Sequence, residues 1–432
     1  MIQELKIRNL LSFKDEVILS FEATKDTALE DTNVVEVAPG VKLLRFAMVM
    51  GANASGKSNL LKALDYLRSW WFYRPDDVDE ETGFVPFMLN ERNGSEPSEI
   101  EIRFWKDGVK YWYQLRLTRK EVLNEKLYVY RSVQPTMVFN RELKDGHSVI
   151  SYNQTVMKVS NAAQDELQVK CLNNMSFFAA RKQVNVTLPV IDEASEWMRK
   201  GIMPMISPGT MMFDYAVEHM HEDVELHDYI INFLRTSDFN ISDIKSTEVV
   251  SQVPASFLDM ILNSPGVSKE EKERVKKEKT IKQLDTTFIH RVENEAGVEY
   301  YPMAVDDESL GTCRSIGLEA AVYTVRKKNA LLIVDELDAS VHHDLLMYMI
   351  SNFLREKGES QLLISTHYLP LLTAVDKIIR RDCVWFTEKG KDGASTLSTM
   401  VEFKGLNRMT NFMNAYIDGR FGAKPEFEEN KQ

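Results

Sequence analysis

Three nearly unbroken apolar runs punctuate an otherwise mixed chain: Leu43-Leu44-Arg45-Phe46-Ala47-Met48-Val49-Met50, Leu331-Leu332-Ile333-Val334 and Gln361-Leu362-Leu363-Ile364-Ser365. A strand covered on both faces has no polar alternation, so these runs read as buried strands. Leu60, Leu61, Leu64 and Leu67 recur at helical spacing after the first run. Each of the other two is followed by polar residues and then a helical pattern. Strands alternating with helices predict an α/β fold with a mainly parallel sheet. The two ends of the chain would then share that sheet, with the middle inserted between its halves.

The remaining periodicity is different. Ile7 to Phe21 holds two short apolar stretches, and Ile100, Ile102 and Phe104 alternate with polar residues. Asp107-Gly108 is a turn signal, after which Tyr111, Tyr113, Leu115 and Leu117 alternate. Further short strands are predicted at Leu127 to Tyr130 and Met137 to Phe139. From about 160 to 285 the pattern is mostly helical and closes on Lys269-Glu270-Glu271-Lys272-Glu273-Arg274-Val275-Lys276-Lys277-Glu278-Lys279. Glu270 with Arg274 and Glu273 with Lys277 stand four apart, which suits a solvated helix. A DNA-binding arm is the sharper reading of the same stretch, although its acids nearly balance its bases. The expected organisation is 1–155, a strand and phosphate-loop half with a β-rich lobe; 156–285, a helical insertion; and 286–432, the second half of the sheet.

Composition narrows the class. Of 432 residues, 44% are apolar and 27% charged, which is ordinary for a globular protein in water. No apolar run is long enough to cross a bilayer, and the charged, alternating start is unlike a secretory signal. Cys171, Cys313 and Cys383 are far apart and form no CxxC pair, which argues against a structural zinc site and for a reducing, cytoplasmic setting. The net charge of −12 means that any contact with nucleic acid would need a local basic patch.

Gly51-Ala52-Asn53-Ala54-Ser55-Gly56-Lys57-Ser58 fits GxxxxGK[ST] at every position, with a buried strand before it and a helix after it. Glycines let the backbone curl until several amides face one phosphate group, and the following helix adds the positive end of its dipole. Lys57 can reach the β- and γ-phosphates of ATP, and Ser58 can place its hydroxyl on Mg²⁺. Asp335-Glu336 follows the run 331–334 at the carboxyl end of its strand, where ligands bind in parallel sheets. Asp335 is expected to hold Mg²⁺ through water, and Glu336 to accept a proton from the attacking water. His367, in Ser365-Thr366-His367, can hydrogen-bond the γ-phosphate or that water.

These residues resemble the ABC-type ATPases, including the SMC-like and DNA-repair ATPases. Ile7-Arg8-Asn9-Leu10-Leu11-Ser12-Phe13 looks like the N-terminal strand of that class, and the loop extended to Asn59 looks like its GxNxxGKSN motif. The resemblance implies an ABC-type ATPase head with a β-rich lobe and an inserted helical region. It also implies a signature segment that caps the γ-phosphate of an opposing subunit. Glu308-Ser309-Leu310-Gly311-Thr312 stands in that place: Ser309 and Gly311 would supply the hydroxyl and the backbone donor, with Thr312 beside them. Ser309 or Thr312 as a plain helix cap is the competing reading, compatible with the first. Asp338 falls where the class has its D-loop aspartate. No convincing Q-loop glutamine follows the first helix; Phe87-Met88-Leu89-Asn90 is its expected place.

The tail narrows the resemblance. Arg380-Arg381-Asp382-Cys383-Val384-Trp385-Phe386-Thr387-Glu388-Lys389 and Ala415-Tyr416-Ile417-Asp418-Gly419-Arg420-Phe421-Gly422-Ala423-Lys424-Pro425 look like the ends of bacterial ABC-like ATPases of the RloA, AbiL and AriA (PARIS) type. That group implies an anti-phage role beside a separate effector, often a nuclease. The related OLD ATPases carry a Toprim nuclease after the ATPase, and the residues after His367 are too few for one. No RxxxxH ribonuclease pattern occurs. His219, His221 and His227 among Glu218, Glu222, Asp223 and Glu225 are a candidate metal cluster, with a solvated helix face as the competing reading.

The expectation is an ATPase that closes head to tail as a homo-oligomer around ATP and Mg²⁺ and controls a partner effector, with no membrane contact. Two alternatives share the site but differ in output: a repair ATPase acting directly on DNA, and a nucleotide-gated scaffold with little turnover.

Overall fold

The computed structural model describes residues 1–237, 239–263, 269–295 and 297–424; Pro425 of the tail motif lies outside them. The chain opens with β1 (Ile2–Arg8), β2 (Val17–Ser20), the single turn α1 (Glu30–Asn33), the pair β3 (Val34–Ala38) and β4 (Val41–Leu44), and β5 (Phe46–Met50), which leads into α2 (Lys57–Trp70). Five strands follow: β6 (Ser98–Lys106), β7 (Val109–Leu117), β8 (Val122–Tyr130), β9 (Thr136–Lys144) and β10 (His147–Tyr152). Five helices, a strand and a further helix come next: α3 (Asn161–Lys170), α4 (Phe177–Arg181), α5 (Pro189–Gly201), α6 (Phe213–Glu222) and α7 (Val224–Thr236), strand β11 (Ile241–Gln252), and helix α8 (Ala255–Asn263). After α9 (Lys269–Glu278) come β12 (Thr280–Asn294), β13 (Gly297–Ala304) and α10 (Leu310–Lys328). The chain returns through β14 (Leu331–Val334), α11 (His343–Arg355), β15 (Gln361–Thr366), β16 (Val384–Lys389), β17 (Ser395–Thr399) and α12 (Phe412–Ile417).

The described residues form two compact units, one from Met1–Gly209, Thr324–Ala339 and Leu346–Gln432, the other from Thr210–Tyr323 and Ser340–Leu345. In the first, a five-stranded sheet runs β14-β15-β5-β16-β17. Its first four strands are parallel and β17 is antiparallel, so the mainly parallel sheet expected from the apolar runs is present. Of the strands before α2, β5 alone enters it. β1 and β2 instead join a seven-stranded antiparallel sheet, β10-β9-β8-β7-β6-β1-β2. Their alternating burial is the reason: one face of β1 is covered and the other is not, which suits an antiparallel sheet with one face packed. Asp107 and Gly108 both take positive φ in the β6–β7 turn, as a tight hairpin requires.

Two features bind the sheets together. Gln361 on β15 is almost fully buried; its side chain accepts the Ile2 amide at 2.6 Å and donates to the carbonyls of Ile2 at 2.9 Å and Leu44 at 3.0 Å. An aromatic cluster anchors the far end of α2: Trp71 stacks on Phe178 at 3.8 Å and meets Tyr113 edge-on at 4.7 Å, while Phe104 stacks on Trp197 at 3.8 Å. The helix that starts at the phosphate loop is thus wedged into the antiparallel sheet.

The same lobe buries an ion pair. Arg141 on β9 and Glu125 on β8 have fully buried side chains and meet at 2.9 Å. Arg141 also donates to the carbonyls of Met175 at 2.6 Å and Leu172 at 2.7 Å and to the Ser148 hydroxyl. Glu125 accepts the Phe177 amide and the Tyr113 hydroxyl, each at 2.9 Å. Burial pushes the Glu125 carboxyl up, against the pull of Arg141.

The helical insertion expected over 156–285 is only partly helical and is divided between the units, with α3 to α5 in the first and the rest in the second. Helices α3 to α9 do fall in that stretch, but β11 and the start of β12 lie there too, in an antiparallel sheet ordered β11-β12-β13. These strands are mostly exposed, with burial concentrated at Ile241, Ile244 and Phe288. A strand wet on both faces needs no apolar alternation, so its sequence carries no period-two signal. The charged stretch is a helix as expected, α9, with Val275 buried.

Candidate nucleotide-binding site

The register of the parallel sheet brings four strand ends to one edge. Thr366 pairs with Met50, Val334 with Ile364, and Phe386 with Met50, so β14, β15, β5 and β16 finish side by side. The phosphate loop leaves β5 between β15 and β16. At Gly51, with φ 156°, an added Cβ would sit 2.6 Å from the Ser55 hydroxyl and 2.7 Å from that of Thr387. At Gly56, with φ 116°, it would run into Ser395 and lie 2.9 Å from the Ser12 hydroxyl. Both glycines are therefore required by contact as well as by backbone conformation.

Much of what supports the loop comes from the tail. The Ser55 and Thr387 hydroxyls meet at 2.6 Å, and Thr387 donates to the Met50 carbonyl at 3.3 Å. The Ala52 amide donates to the Ala423 carbonyl at 3.0 Å, which also accepts the Tyr416 hydroxyl at 2.6 Å. Ser55 thus turns its side chain away from the loop's open face, where Asn53 and Ala54 are exposed, and Ser58 and Asn59 begin the helix half-buried. Thr387, Ser395, Tyr416 and Ala423 carried no chemical signal in the sequence; the tail motif that contains three of them was the only pointer. Gly51→Ala is expected to weaken ATP binding by about tenfold or more, since overpacking a site of this kind costs about 1–3 kcal/mol. Nucleotide titration beside a thermal melt measures both effects.

Lys57 is buried, and its ammonium donates to the carbonyls of Gly51 at 2.9 Å and Ala52 at 3.0 Å. Burial lowers its pKa, while Glu336, Asp335 and Asp338 pull it back up. Beside it, the Ser58 hydroxyl donates to Asp335 Oδ1 at 3.1 Å, and the Ser365 hydroxyl donates to the same oxygen. Ser365 Oγ in turn accepts the Glu336 amide at 2.9 Å. Glu336 itself takes φ 49°, an uncommon conformation for a non-glycine residue and one often met at functional sites. Asp338 accepts the Thr366 hydroxyl at 2.6 Å and faces His367 Nδ1 at 3.4 Å, leaving the half-exposed imidazole aimed by a nearly buried carboxylate. The structure therefore brings together Lys57, Ser58, Asp335, Glu336, Asp338 and His367, and adds Ser365 and Thr366, which their hydroxyls alone did not single out. Adjacent hydroxyl and carboxylate oxygens at Ser58 and Asp335 are the hard donors that suit Mg²⁺.

The signature residues belong to the second unit. Ser309 is exposed and accepts the Thr312 amide at 3.0 Å, so the helix-cap reading holds in the structure. Thr312 is buried, with its hydroxyl bonded within its own turn to Glu308. Gly311 lies against the backbone of Ser340, in the same unit: an added Cβ would sit 2.7 Å from the Ser340 carbonyl. At the expected Q-loop position Phe87 is buried, with its amide bonded to Asn9 Oδ1 at 3.2 Å, and Met88 and Leu89 are exposed. No glutamine occurs between Gly51 and Gln114. Among the described residues no group of three or more histidine, cysteine, aspartate or glutamate side chains is gathered for a metal ion. His219 packs on Tyr215 and His227 lies 3.3 Å from Asp243.

A phosphate loop and an acidic strand end side by side at one edge of a parallel sheet are the mark of a phosphate-loop nucleotide-binding domain. Residues 46–152 and 235–374, more than half of the chain, match the family described as AAA domain, putative AbiEii toxin, Type IV TA system, and the chain belongs to it. No curated protein matches it. Among solved structures it is similar to the SMC head domain from Thermotoga maritima, at 12% identity over 92% of this chain and 98% of that one, TM-score 0.42. The SMC head bound to the C-terminal winged-helix domain of ScpA gives 13% over 92% and 97%, TM-score 0.42. The Pyrococcus furiosus SMC head with an extended coiled coil, bound to the C-terminal domain of ScpA, gives 12% over 97% and 99%, TM-score 0.38.

Proposed function

We propose that the chain binds ATP with Mg²⁺, hydrolyses it between two copies arranged head to tail, and through that cycle controls a separate effector, such as a nuclease, in anti-phage defence. The observation that carries the ATPase reading is the shared strand edge: Lys57, Ser58, Asp335, Glu336 and His367 leave three neighbouring parallel strands at matched register. The loop amides and Lys57 bind the phosphates, and Lys57 exchanges its two loop carbonyls for phosphate oxygens. Ser58 and Asp335 hold Mg²⁺, which neutralises phosphate charge when bound. Glu336 takes the proton of the attacking water, and His367, oriented by Asp338, donates to the γ-phosphate or positions that water. Ser309 and the Gly311 amide of one copy close on the γ-phosphate held by the other. The effector role rests on the residues of the tail, which resemble the RloA, AbiL and AriA group.

The wild-type chain with Mg²⁺ and ATP is expected to release phosphate and to self-associate, and Lys57→Ala to do neither, with ATP affinity reduced about a hundredfold or more, the scale of a lost charged hydrogen-bond set. Phosphate assay, nucleotide titration and light scattering report the three quantities; equal turnover by Lys57→Ala would dismiss this site. Co-purification with the product of the neighbouring gene tests the effector.

A further inference from the structure

The signature turn contains a chain of hydroxyls with one possible direction. Glu308, immediately before Ser309, receives the Ser309 amide on Oε1 at 2.8 Å and the Thr312 hydroxyl on the same oxygen at 3.1 Å. A carboxylate only accepts, so the single proton of the Thr312 hydroxyl is committed to Glu308. The Ser309 and Thr312 hydroxyls lie 2.7 Å apart. With its own proton spent, Thr312 is the acceptor there and Ser309 the donor. Ser309 Oγ also accepts the Thr312 amide. The serine is thereby satisfied from within its own turn: its proton points inward and a lone pair points out, the wrong polarity for a phosphate. The other carboxylate oxygen, Oε2, stands 3.0 Å from His290 Nε2 on β12. Both side chains are mostly buried, and neither of these two atoms makes a hydrogen bond of good geometry among the described residues, so the 3.0 Å approach of one to the other is the contact left to them.

We propose that Glu308 is a positioning residue that holds the signature serine in a self-bonded state, its proton turned away from an incoming phosphate, and that it ties this state to the β11–β13 sheet through His290. The proposal rests on the reading of Ser309 as a γ-phosphate donor across the assembly. Engagement of ATP then requires Ser309 to give up Thr312 and rotate outward. A hydrogen bond is exchanged rather than gained, so closure needs more ATP than a free serine would. Anything that shifts His290, such as a partner seated on the sheet, would move the carboxylate and release or tighten the restraint.

The proposal predicts a gain where a merely structural role predicts a loss. Thr312→Val keeps shape and the amide cap but removes the acceptor of the Ser309 proton. Glu308→Ala frees the Thr312 hydroxyl to donate to Ser309, which turns the serine proton outward. In full-length protein carrying Glu336→Gln, each change is expected to lower the ATP concentration for half-maximal self-association by about fivefold, the equivalent of one net hydrogen bond of about 1 kcal/mol. Ser309→Ala in the same background is expected to abolish ATP-driven association. Should Thr312→Val leave the ATP requirement unchanged or raise it while Ser309→Ala abolishes association, the restraint is wrong and the signature reading stands. Should Ser309→Ala associate like its parent, the signature reading falls and this proposal with it. If Glu308→Ala does not fold, Thr312→Val alone decides.

Discussion

Replacing Glu336 with glutamine is expected to lower phosphate release by about 10²–10⁴-fold, the range that a positioned general base contributes, while ATP still binds. The change is isosteric and leaves intact everything that holds the backbone there: the Glu336 amide still reaches Ser365, and Asp335 still takes the Ser58 and Ser365 hydroxyls. What disappears is the carboxylate base proposed to take the water's proton. An assembly that closes on ATP and cannot open by hydrolysis should accumulate. Single-turnover assays and mass measurement in ATP separate the two effects. Undiminished turnover would take Glu336 out of the chemistry and return it to a residue whose positive φ merely shapes the end of β14.

The largest stability effect is expected at Arg141→Met, a loss of about 3–5 kcal/mol, as for other buried pairs broken on one side. The reason is less the lost attraction than what remains. Glu125 would be left as an unpaired charge with no access to water, and the carbonyls of Leu172 and Met175 would lose their donor. Exchanging both partners for apolar residues should cost less than exchanging either alone. A double-mutant cycle by chemical denaturation checks this. Additive costs would mean that the two side chains act independently despite their 2.9 Å contact.

The parts of the molecule that could be read from the sequence are those in which burial leaves a pattern. β5, β14 and β15 are covered on both faces and spell themselves as apolar runs, and the residues that follow each run are the ones the register assembles. The alternating strands β6 and β7 were equally visible. β11 and β12 were not, because a segment such as Ile-Lys-Gln-Leu-Asp-Thr-Thr has no dry face to record. That β1 and β2 would leave the phosphate-loop sheet for the antiparallel one was also hidden, since an apolar stretch does not name the strand it pairs with. At the site, motif positions were legible and their supports were not. Ser365, Thr387 and Ser395 are common residues whose importance lies in where their hydroxyls end up, and Ser55 and Thr312 proved to be buried.

The contact between Ala52 and Ala423 joins positions at opposite ends of the sequence, and this bears on how the protein can be divided. A fragment that stops short of Phe412 would contain the phosphate loop, the acidic strand end and the signature turn and still lack one wall of its nucleotide cradle. Loss of ATP affinity in such a truncation would report a missing buttress, not a missing ligand. Conversely, a binding partner that grips the segment around Tyr416 would have a mechanical handle on the phosphate loop without touching the nucleotide.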